Sequence, residues 1–189
     1  MEQVPINSPE IIKADLRLFQ QHQQEILEIE RDLIENSSSA YLIDEENELD
    51  FMLDAFRKGG YSYLLMEDNR AVGFMVMGPL NDGTELPQAV TENYPVENCL
   101  HIKVMYIKST GEGIGSAMMD KLLEELDKEK WKYLFVRTWV DPPNEGAINF
   151  YTKHAGFEVV PDAIVESTKT KKDGSETFQI KRQYLSKKV

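Results

Sequence analysis

Three glycines alternate along the chain, at Gly111, Gly113 and Gly115, between an apolar stretch and an amphipathic one. The apolar stretch, residues 100–107, is rich in β-branched side chains and predicts a strand. The amphipathic stretch predicts a helix, since its apolar residues recur at helical spacing: Ile114, Met118, Leu122, Leu123 and Leu126. Glycine permits positive φ angles and leaves backbone N–H groups accessible. The turn and the helix N-terminus therefore predict a binding site for a phosphate or pyrophosphate group.

Two nucleotide-binding motifs, and a glycine-rich turn without a ligand, are alternatives for this segment. The dinucleotide fingerprint requires a third glycine at residue 116, where the chain has Ser116. It also requires an acidic residue at the end of the next strand, and residues 137–140 contain none. A P-loop requires Gly-Lys followed by Ser or Thr, which the chain lacks. A dinucleotide-dependent oxidoreductase is therefore the weaker alternative.

A second motif follows a predicted strand at residues 133–140 and a Pro-Pro turn. Its residues are Asn144, Ala147, Tyr151, Lys153, Gly156 and Phe157. Together with Gly113 and Gly115 they resemble the acetyl-CoA signature of the GNAT superfamily, the Gcn5-related N-acetyltransferases. The first part of that signature is Arg or Gln, two residues, Gly, any residue, and then Gly or Ala. The second part is Asn, two residues, Ala, a Tyr four residues later, and then Lys and Gly-Phe. The resemblance covers about residues 61–160.

This resemblance implies an α+β fold with a central, mostly antiparallel, twisted sheet of about six to seven strands flanked by helices. In that fold the fourth and fifth strands splay apart, and the pantetheine arm of acetyl-CoA lies in the gap. The predicted strand at residues 99–107 would be the fourth. We expect residues 1–189 to form a single GNAT-like domain, because a chain of 189 residues is long enough to bury one core.

Apolar periodicity and turn residues predict the other elements. Helices are expected at residues 9–36, with a break near 20–23, and at residues 46–58. Strands are expected at residues 61–67, 71–77 and 175–184, and residues 79–98 form an unusually long connection.

The family resemblance also implies which residues bind acetyl-CoA. The backbone of Met105 and Ile107 would contact the pantetheine amides, and Asn144 would hydrogen-bond the same arm. Asn144 would equally serve as a helix N-cap. The phosphates would lie against one continuous segment: Thr110, Gly111, Glu112, Gly113, Ile114, Gly115 and Ser116.

Acyl transfer to an amine needs a neutral amine, a polarised thioester carbonyl and a proton for the departing thiolate. Tyr151 resembles the family tyrosine that protonates the sulfur of coenzyme A and contacts the cofactor there. His101 is the first candidate for the general base, because histidine titrates near neutral pH. Lys103, on the same strand face, would lower the proton affinity of His101 or bind a substrate carboxylate. Glu97 and an ordered water are the alternatives for the base.

Two positions depart from the family pattern. Thr110 stands where the family has Arg or Gln, so one side-chain contact to the phosphates is shortened. Tyr151 and Gly156 are separated by one residue more than in the family. We interpret this extra residue as a looser helix end around His154 and Ala155, with Tyr151 still in register with Ala147.

Charge and cysteine content restrict the class of protein. The formal net charge of -12 disfavours binding to nucleic acid or to an anionic membrane. Cys99 is the only cysteine, which excludes an intrachain disulfide, and no metal-ligand spacing occurs. The N-terminus lacks a signal peptide and the longest apolar run, residues 71–80, is too short for a membrane span, so we expect a cytoplasmic protein. A homodimer is compatible with the sequence.

The sequence thus predicts an acetyl-CoA-dependent N-acetyltransferase that acts on a primary amine of a small molecule or on an exposed protein amino group. A non-catalytic acyl-CoA-binding or partner-binding module with the same fold is the alternative. The acidic residues at 44–50 and in the 81–98 connection would attract an amine, or they serve only solubility.

Overall fold

The computed structural model describes residues 9–35, 41–108 and 113–189. Along these residues the elements follow in the order β1 (Glu10–Ala14), α1 (Leu16–Gln21), α2 (Gln23–Glu35), α3 (Glu45–Arg57), β2 (Tyr61–Glu67), β3 (Arg70–Pro79), α4 (Gln88–Asn93), β4 (Cys99–Ile107), α5 (Ile114–Glu125), β5 (Tyr133–Asp141), α6 (Glu145–Asn149), β6 (Glu158–Thr170) and β7 (Thr177–Lys188). A 3₁₀ turn, Val96–Asn98, precedes β4, and a π-helical turn, Phe150–His154, follows α6.

Several helices begin at side-chain caps that the sequence supplies locally. Asp15 accepts a hydrogen bond from the backbone N–H of Leu18 at 2.8 Å and starts α1. Asp44 does the same for Asn47 at the start of α3. Short polar side chains are preferred at these positions because they satisfy a backbone donor that has no partner inside the helix.

The strands form one seven-stranded sheet in the order β1-β2-β3-β4-β5-β7-β6. Neighbouring strands are antiparallel except β4 and β5, which run parallel. The parallel pairing extends only from Cys99–Tyr133 to Ile102–Val136. Beyond it, β4 stays paired with β3 as far as Ile107, and β5 stays paired with β7 as far as Asp141. The two strands therefore part, and the predicted fold class with its splayed fourth and fifth strands is confirmed.

Both faces of the sheet bury apolar side chains. The face that packs on α5, here called the α5 face, includes Met75, Leu100, Ile102, Met118 and Leu122. The opposite face, here called the α2 face, packs on α1, α2 and α3 and includes Ile26, Met52, Leu64, Phe74 and Val76. Near β5, β6 and β7 the α2 face continues with Cys99, Phe135, Val160 and Tyr184.

A β-bulge interrupts β4 at Lys103. Val76 of β3 is opposite Val104, whereas the next residue, Met77, is opposite Ile102, so Lys103 is the extra residue. Its ammonium group forms a buried ion pair with Asp82, which lies in the connection between β3 and α4. The bulge lets both Ile102 and Met105 face α5, although they are three residues apart.

The structure corrects one sequence prediction and confirms most of the others. Residues 9–36 are not wholly helical, because Glu10–Ala14 pairs with β2 as an edge strand, and this non-local pairing overrides the local pattern. The predicted break near 20–23 is confirmed at His22, between α1 and α2. The long connection at 79–98 contains the short helix α4. No helix in the described ranges is both long and apolar enough to cross a bilayer.

Candidate active site

The gap between β4 and β5 is lined by residues 103–107 on one side and residues 137–141 on the other. Met105 and Ile107, the two predicted pantetheine contacts, belong to the first side and pack partly buried on the α5 face. The gap opens towards the end of β4 that leads into the glycine segment. It therefore connects the centre of the sheet with the N-terminus of α5.

Gly113 is the N-cap residue of α5 and has a φ angle of 74°, in the left-handed region that favours glycine. A Cβ atom added there would have no heavy atom of the described residues within 4 Å, its chain neighbours aside. The first turn of α5 contains no acidic residue. These features leave room for an anion at the positive end of a helix that runs from Ile114 through Ser116 to Glu125. The predicted contacts Thr110, Gly111 and Glu112 lie outside the described residues.

Gly115 has an additional structural role. A Cβ atom at this position would lie 3.1 Å from the ring of Phe150 and 3.5 Å from the terminal methyl group of Met105. The contact with Phe150 is short enough that the ring would have to shift, so the glycine allows α5 to pack closely against the π turn and β4. Sequence analysis had assigned this glycine to the anion site alone.

Asn144 caps α6, as one of its two predicted roles requires. Its Oδ1 accepts a hydrogen bond from the backbone N–H of Ala147 at 3.0 Å. This cap fixes where the helix that carries Tyr151 begins.

Tyr151 is 7% exposed and lies on the α5 face. Its hydroxyl donates a hydrogen bond to the sulfur of Met105, with 3.6 Å between the oxygen and the sulfur. Phe150 and Phe157 fix the ring by edge-to-face contacts, with centroids 5.1 and 5.5 Å away. Burial raises the pKa of Tyr151 above its ordinary value, so the phenol is protonated at neutral pH. The acid candidate thus reaches β4 just beyond the point where β4 and β5 part.

The extra residue between Tyr151 and Gly156 is accommodated by the π-helical turn. The N–H of Ala155 donates to the carbonyl of Phe150, five residues earlier, at 2.9 Å. Gly156 then adopts a φ angle of 71°, and the N–H of Phe157 donates to the carbonyl of Tyr151 at 2.9 Å. The expected looser helix end is confirmed, and it takes the form of a wider turn.

His101 lies on the α2 face at the base of the gap and is 3% exposed. Its ring is 6.0 Å from that of Tyr184, and its Nε2 has no hydrogen-bond partner among the described residues. Burial lowers its pKa well below 6.5, and the positive charges of Arg137 and Lys103 lower it further. The charge of Lys103 thus acts in the predicted direction, and the imidazole is neutral at pH 7.

Glu97, the alternative base, is not brought to the gap. It is exposed on the 3₁₀ turn before β4, at the end where β4 and β5 are still paired. Lys103 is also unavailable to a substrate carboxylate, because its ammonium group is engaged by Asp82.

A polar cluster on the α2 face was missed by sequence analysis. Its members are Glu30, Tyr41, Tyr106, Arg137 and Arg182. Tyr41 stacks on Trp139, with ring centroids 5.7 Å apart, beside the gap. Each charged member shares a face of its strand or helix with apolar residues, and this pattern is the signal that sequence reasoning could have used.

Glu30 shows this signal most clearly. It occupies the apolar stripe of α2 formed by Ile26, Ile29 and Ile34, and it is 2% exposed. Burial and the negative charge of Glu48 raise the pKa of Glu30 to about 8. Its Oε2 has no hydrogen-bond partner in the part of the chain that the structure describes. Glu30 is therefore mostly uncharged at neutral pH.

Known proteins resemble this chain in sequence and in fold. The sequence model of the Acetyltransferase (GNAT) family matches residues 23–157. No curated protein sequence matched at a significant level. Within the described part of the chain, no cluster of three or more His, Cys, Asp or Glu side chains could hold a metal ion.

Solved structures of similar fold cover almost the whole chain. The ribosomal-protein-alanine N-acetyltransferase of Brucella melitensis is 19% identical, with a TM-score of 0.65 over 95% of this chain and 99% of its own. An N-acetyltransferase of Staphylococcus aureus Mu50 is 16% identical, with a TM-score of 0.66 over 96% and 99%. The yncA protein of Salmonella typhimurium, solved with its cofactor acetyl-CoA, is 14% identical, with a TM-score of 0.64 over 96% and 94%. At these identities the likeness concerns the fold.

Proposed function

Since this chain belongs to the Acetyltransferase (GNAT) family, we propose that it transfers the acetyl group of acetyl-CoA to a primary amine. The amine belongs to a small molecule or is an exposed amino group of a protein. The observation that carries the proposal is the position of Tyr151. Its protonated hydroxyl lies 3.6 Å from Met105, on the strand that borders the gap. This position supports Tyr151 as the donor of the proton that the departing thiolate needs.

Acetyl-CoA is proposed to bind with its pyrophosphate at Thr110–Ser116 and its pantetheine arm along Met105 and Ile107. The open left-handed position at Gly113 and the N-terminus of the twelve-residue helix α5 support the first contact. The divergence of β4 from β5 supports the second, because it leaves a slot beside β4. Asn144 is proposed to act mainly by positioning α6, and through it Tyr151.

The chemistry requires one bond to form and one to break. A bond forms between the amine nitrogen and the acetyl carbon, while the bond between that carbon and the sulfur of coenzyme A breaks. Tyr151 donates its proton to the departing sulfur. The amine nitrogen loses a proton to a base, and we assign that role to His101, whose neutral imidazole has an Nε2 without a hydrogen-bond partner among the described residues. Tyr151 and His101 project from opposite faces of the sheet, so in this proposal acid and base would approach the acyl group from two sides.

The proposal is tested by mixing the protein with acetyl-CoA and a panel of primary amines, including amino acids, polyamines and aminoglycosides, and measuring the release of free thiol. We expect amine-dependent release with at least one class of acceptor. Binding of acetyl-CoA without thiol release for any amine would instead indicate a non-catalytic acyl-CoA-binding module.

The role of His101 predicts a change in pH dependence. In the wild type, kcat/KM should fall only below about pH 6.5, because the pKa of His101 lies under that value and the base is lost when it is protonated. His101→Gln should remove this acid limb and lower kcat/KM about a hundredfold. His22→Gln, which alters a histidine at the junction of α1 and α2, is the control and should leave the profile unchanged. An unaltered profile in His101→Gln would mean that water takes the proton.

A further inference from the structure

Two arginines lie side by side on the α2 face next to the gap. Arg137 of β5 is directly opposite Tyr184 of β7, and Arg182 of β7 is directly opposite Trp139 of β5. Directly opposite residues share a face, so the two arginines are diagonal neighbours, with Cα atoms about 7–8 Å apart. Arg137 also lies over the ring of Tyr184, 5.7 Å from its centroid. The site is thus rigidly built from two central strands.

Neither guanidinium group is neutralised by a carboxylate in the described residues. Within the described ranges, no ion pair within 4 Å involves Arg137 or Arg182, although ion pairs are frequent elsewhere. Arg182 donates from Nη2 to the hydroxyl of Ser167 at 2.6 Å, while its buried Nε has no acceptor in the described part of the chain. Burial and the charge of Arg137 lower the pKa of Arg182. Both arginines are partly buried, and two like charges on neighbouring strands repel each other unless an anion lies between them.

The nearby acids are already neutral or engaged. Glu30 is mostly protonated because its pKa is raised to about 8. Glu48 pairs with Lys169 at 3.5 Å, and Asp82 pairs with Lys103. The region therefore keeps an excess of positive charge, in contrast to the chain as a whole, whose formal net charge is -12.

The position of the two arginines relative to the gap suggests which ligand they bind. Arg137 is the first residue of β5 beyond the parallel pairing, since that pairing ends at Val136. His101, whose buried Nε2 also has no partner among the residues that the structure describes, lies on the same face beside Arg137. A ligand held by the arginines would therefore project towards His101 and the gap. The phosphate site at α5 lies at a different place, since α5 packs on the opposite face.

We propose that Arg137 and Arg182 bind the carboxylate of the acceptor, so that the substrate is a small amino acid or a close analogue that carries both a primary amine and a carboxylate. This inference rests on the proposed acetyl transfer and names its acceptor class. Arginine suits the role, because its planar guanidinium donates two parallel hydrogen bonds to a carboxylate and stays charged when buried. A zwitterion carries no net charge, so the acidic surface of the protein does not repel it.

The test compares L-amino acids with the matching amino-acid amides, which keep the amine and lack the carboxylate. With the wild-type protein saturated with coenzyme A, calorimetry should show that the best-bound acid binds about ten- to hundredfold more tightly than its amide. The same ratio should appear in KM when acetyl-CoA is supplied and thiol release is measured. This comparison needs no variant, so it does not depend on the folding of a mutant.

Variants then locate the effect. Arg182→Gln and Arg137→Gln should each weaken binding of the acid about ten- to hundredfold and change binding of the amide less than about threefold. Arg57→Gln, which removes an exposed arginine of α3, is the matched control and should change neither. Unchanged affinity of each variant for coenzyme A shows that the fold and the cofactor site are intact.

Failure of this inference is distinguishable from failure of the proposed function. Equal binding of acids and amides by the wild type, or a preference for acids that persists in both arginine variants, would overturn the carboxylate site. Thiol release with amides would then still support acetyl transfer. Conversely, an arginine-dependent preference for acids in calorimetry, without thiol release, would support the carboxylate site and contradict the transferase.

Discussion

Replacing Tyr151 with phenylalanine should lower kcat about a hundredfold to ten-thousandfold and leave the affinity for acetyl-CoA unchanged, because general acids typically contribute this much to a rate. The substitution removes one hydroxyl from a ring that Phe150 and Phe157 hold in place. The proton is needed only as the carbon–sulfur bond breaks, so kcat and kcat/KM should fall by the same factor. Steady-state assays of thiol release measure both constants.

The loss should not come from unfolding. The only hydrogen bond that the hydroxyl makes among the described residues is to the sulfur of Met105, a weak acceptor, so thermal stability should change little. Tyr63→Phe is the matched control, because Tyr63 is a buried tyrosine of the same apolar cluster whose hydroxyl contacts Glu125 instead. Wild-type turnover by Tyr151→Phe with a well-accepted amine would remove Tyr151 from the mechanism.

Replacing Gly113 with glutamate should weaken acetyl-CoA binding at least about a hundredfold. A carboxylate at the N-terminus of α5 would oppose the pyrophosphate, and two unit charges about 4 Å apart near a protein surface repel by about 4 kcal/mol before further screening by solvent. Among the described residues, no atom beyond the chain neighbours lies within 4 Å of a Cβ atom built there. Calorimetric titration with acetyl-CoA measures the change.

A second glycine allows the effect of the charge to be separated from backbone strain. Gly174, in the turn between β6 and β7, has a φ angle of 73°, almost identical to the 74° of Gly113, and is equally open. Gly174→Glu therefore causes the same local strain away from the proposed cofactor site, and it should leave the affinity for acetyl-CoA unchanged. Unaltered affinity in Gly113→Glu would show that the pyrophosphate does not bind at the N-terminus of α5.

Most of the fold could be predicted because its signals are local. The bounds of β2 and β4 agree with the sequence prediction, since each strand is apolar and is delimited by turns or charged residues. A looser helix end was expected from a single extra residue in a known motif, and the structure has a π turn there. β1 could not be recognised in the same way, because Glu10–Ala14 is a strand only through its pairing with β2. Pairing partners far apart in sequence leave no local pattern.

The candidate site also contains residues that could be predicted from the sequence and residues that could not. Tyr151, Asn144 and Gly113 belong to contiguous motifs and could be identified from spacing. The arginine pair and Glu30 come from β5, β7 and α2, and only the folded sheet brings them to one face. Sequence analysis considered Lys103 for the carboxylate, because its partner Asp82 could not be recognised before the bulge in β4 was known.

The parallel pairing of β4 with β5 is short, so the sheet consists of two parts, here called leaves, that are joined along one short ladder, here called the seam. Strands β1–β4 form one leaf and β5–β7 the other, and the seam is the ladder between Cys99–Ile102 and Tyr133–Val136. In β4, residues 103–107 lack a β5 partner on the gap side. Their backbone groups on that side are therefore available to hydrogen-bond a ligand that carries amide groups. With the pantetheine arm placed as proposed, the cosubstrate would complete the sheet like an additional strand. The hydrogen bonds that position the acetyl group would then also hold the two leaves together, so that release of coenzyme A loosens the protein as each reaction ends.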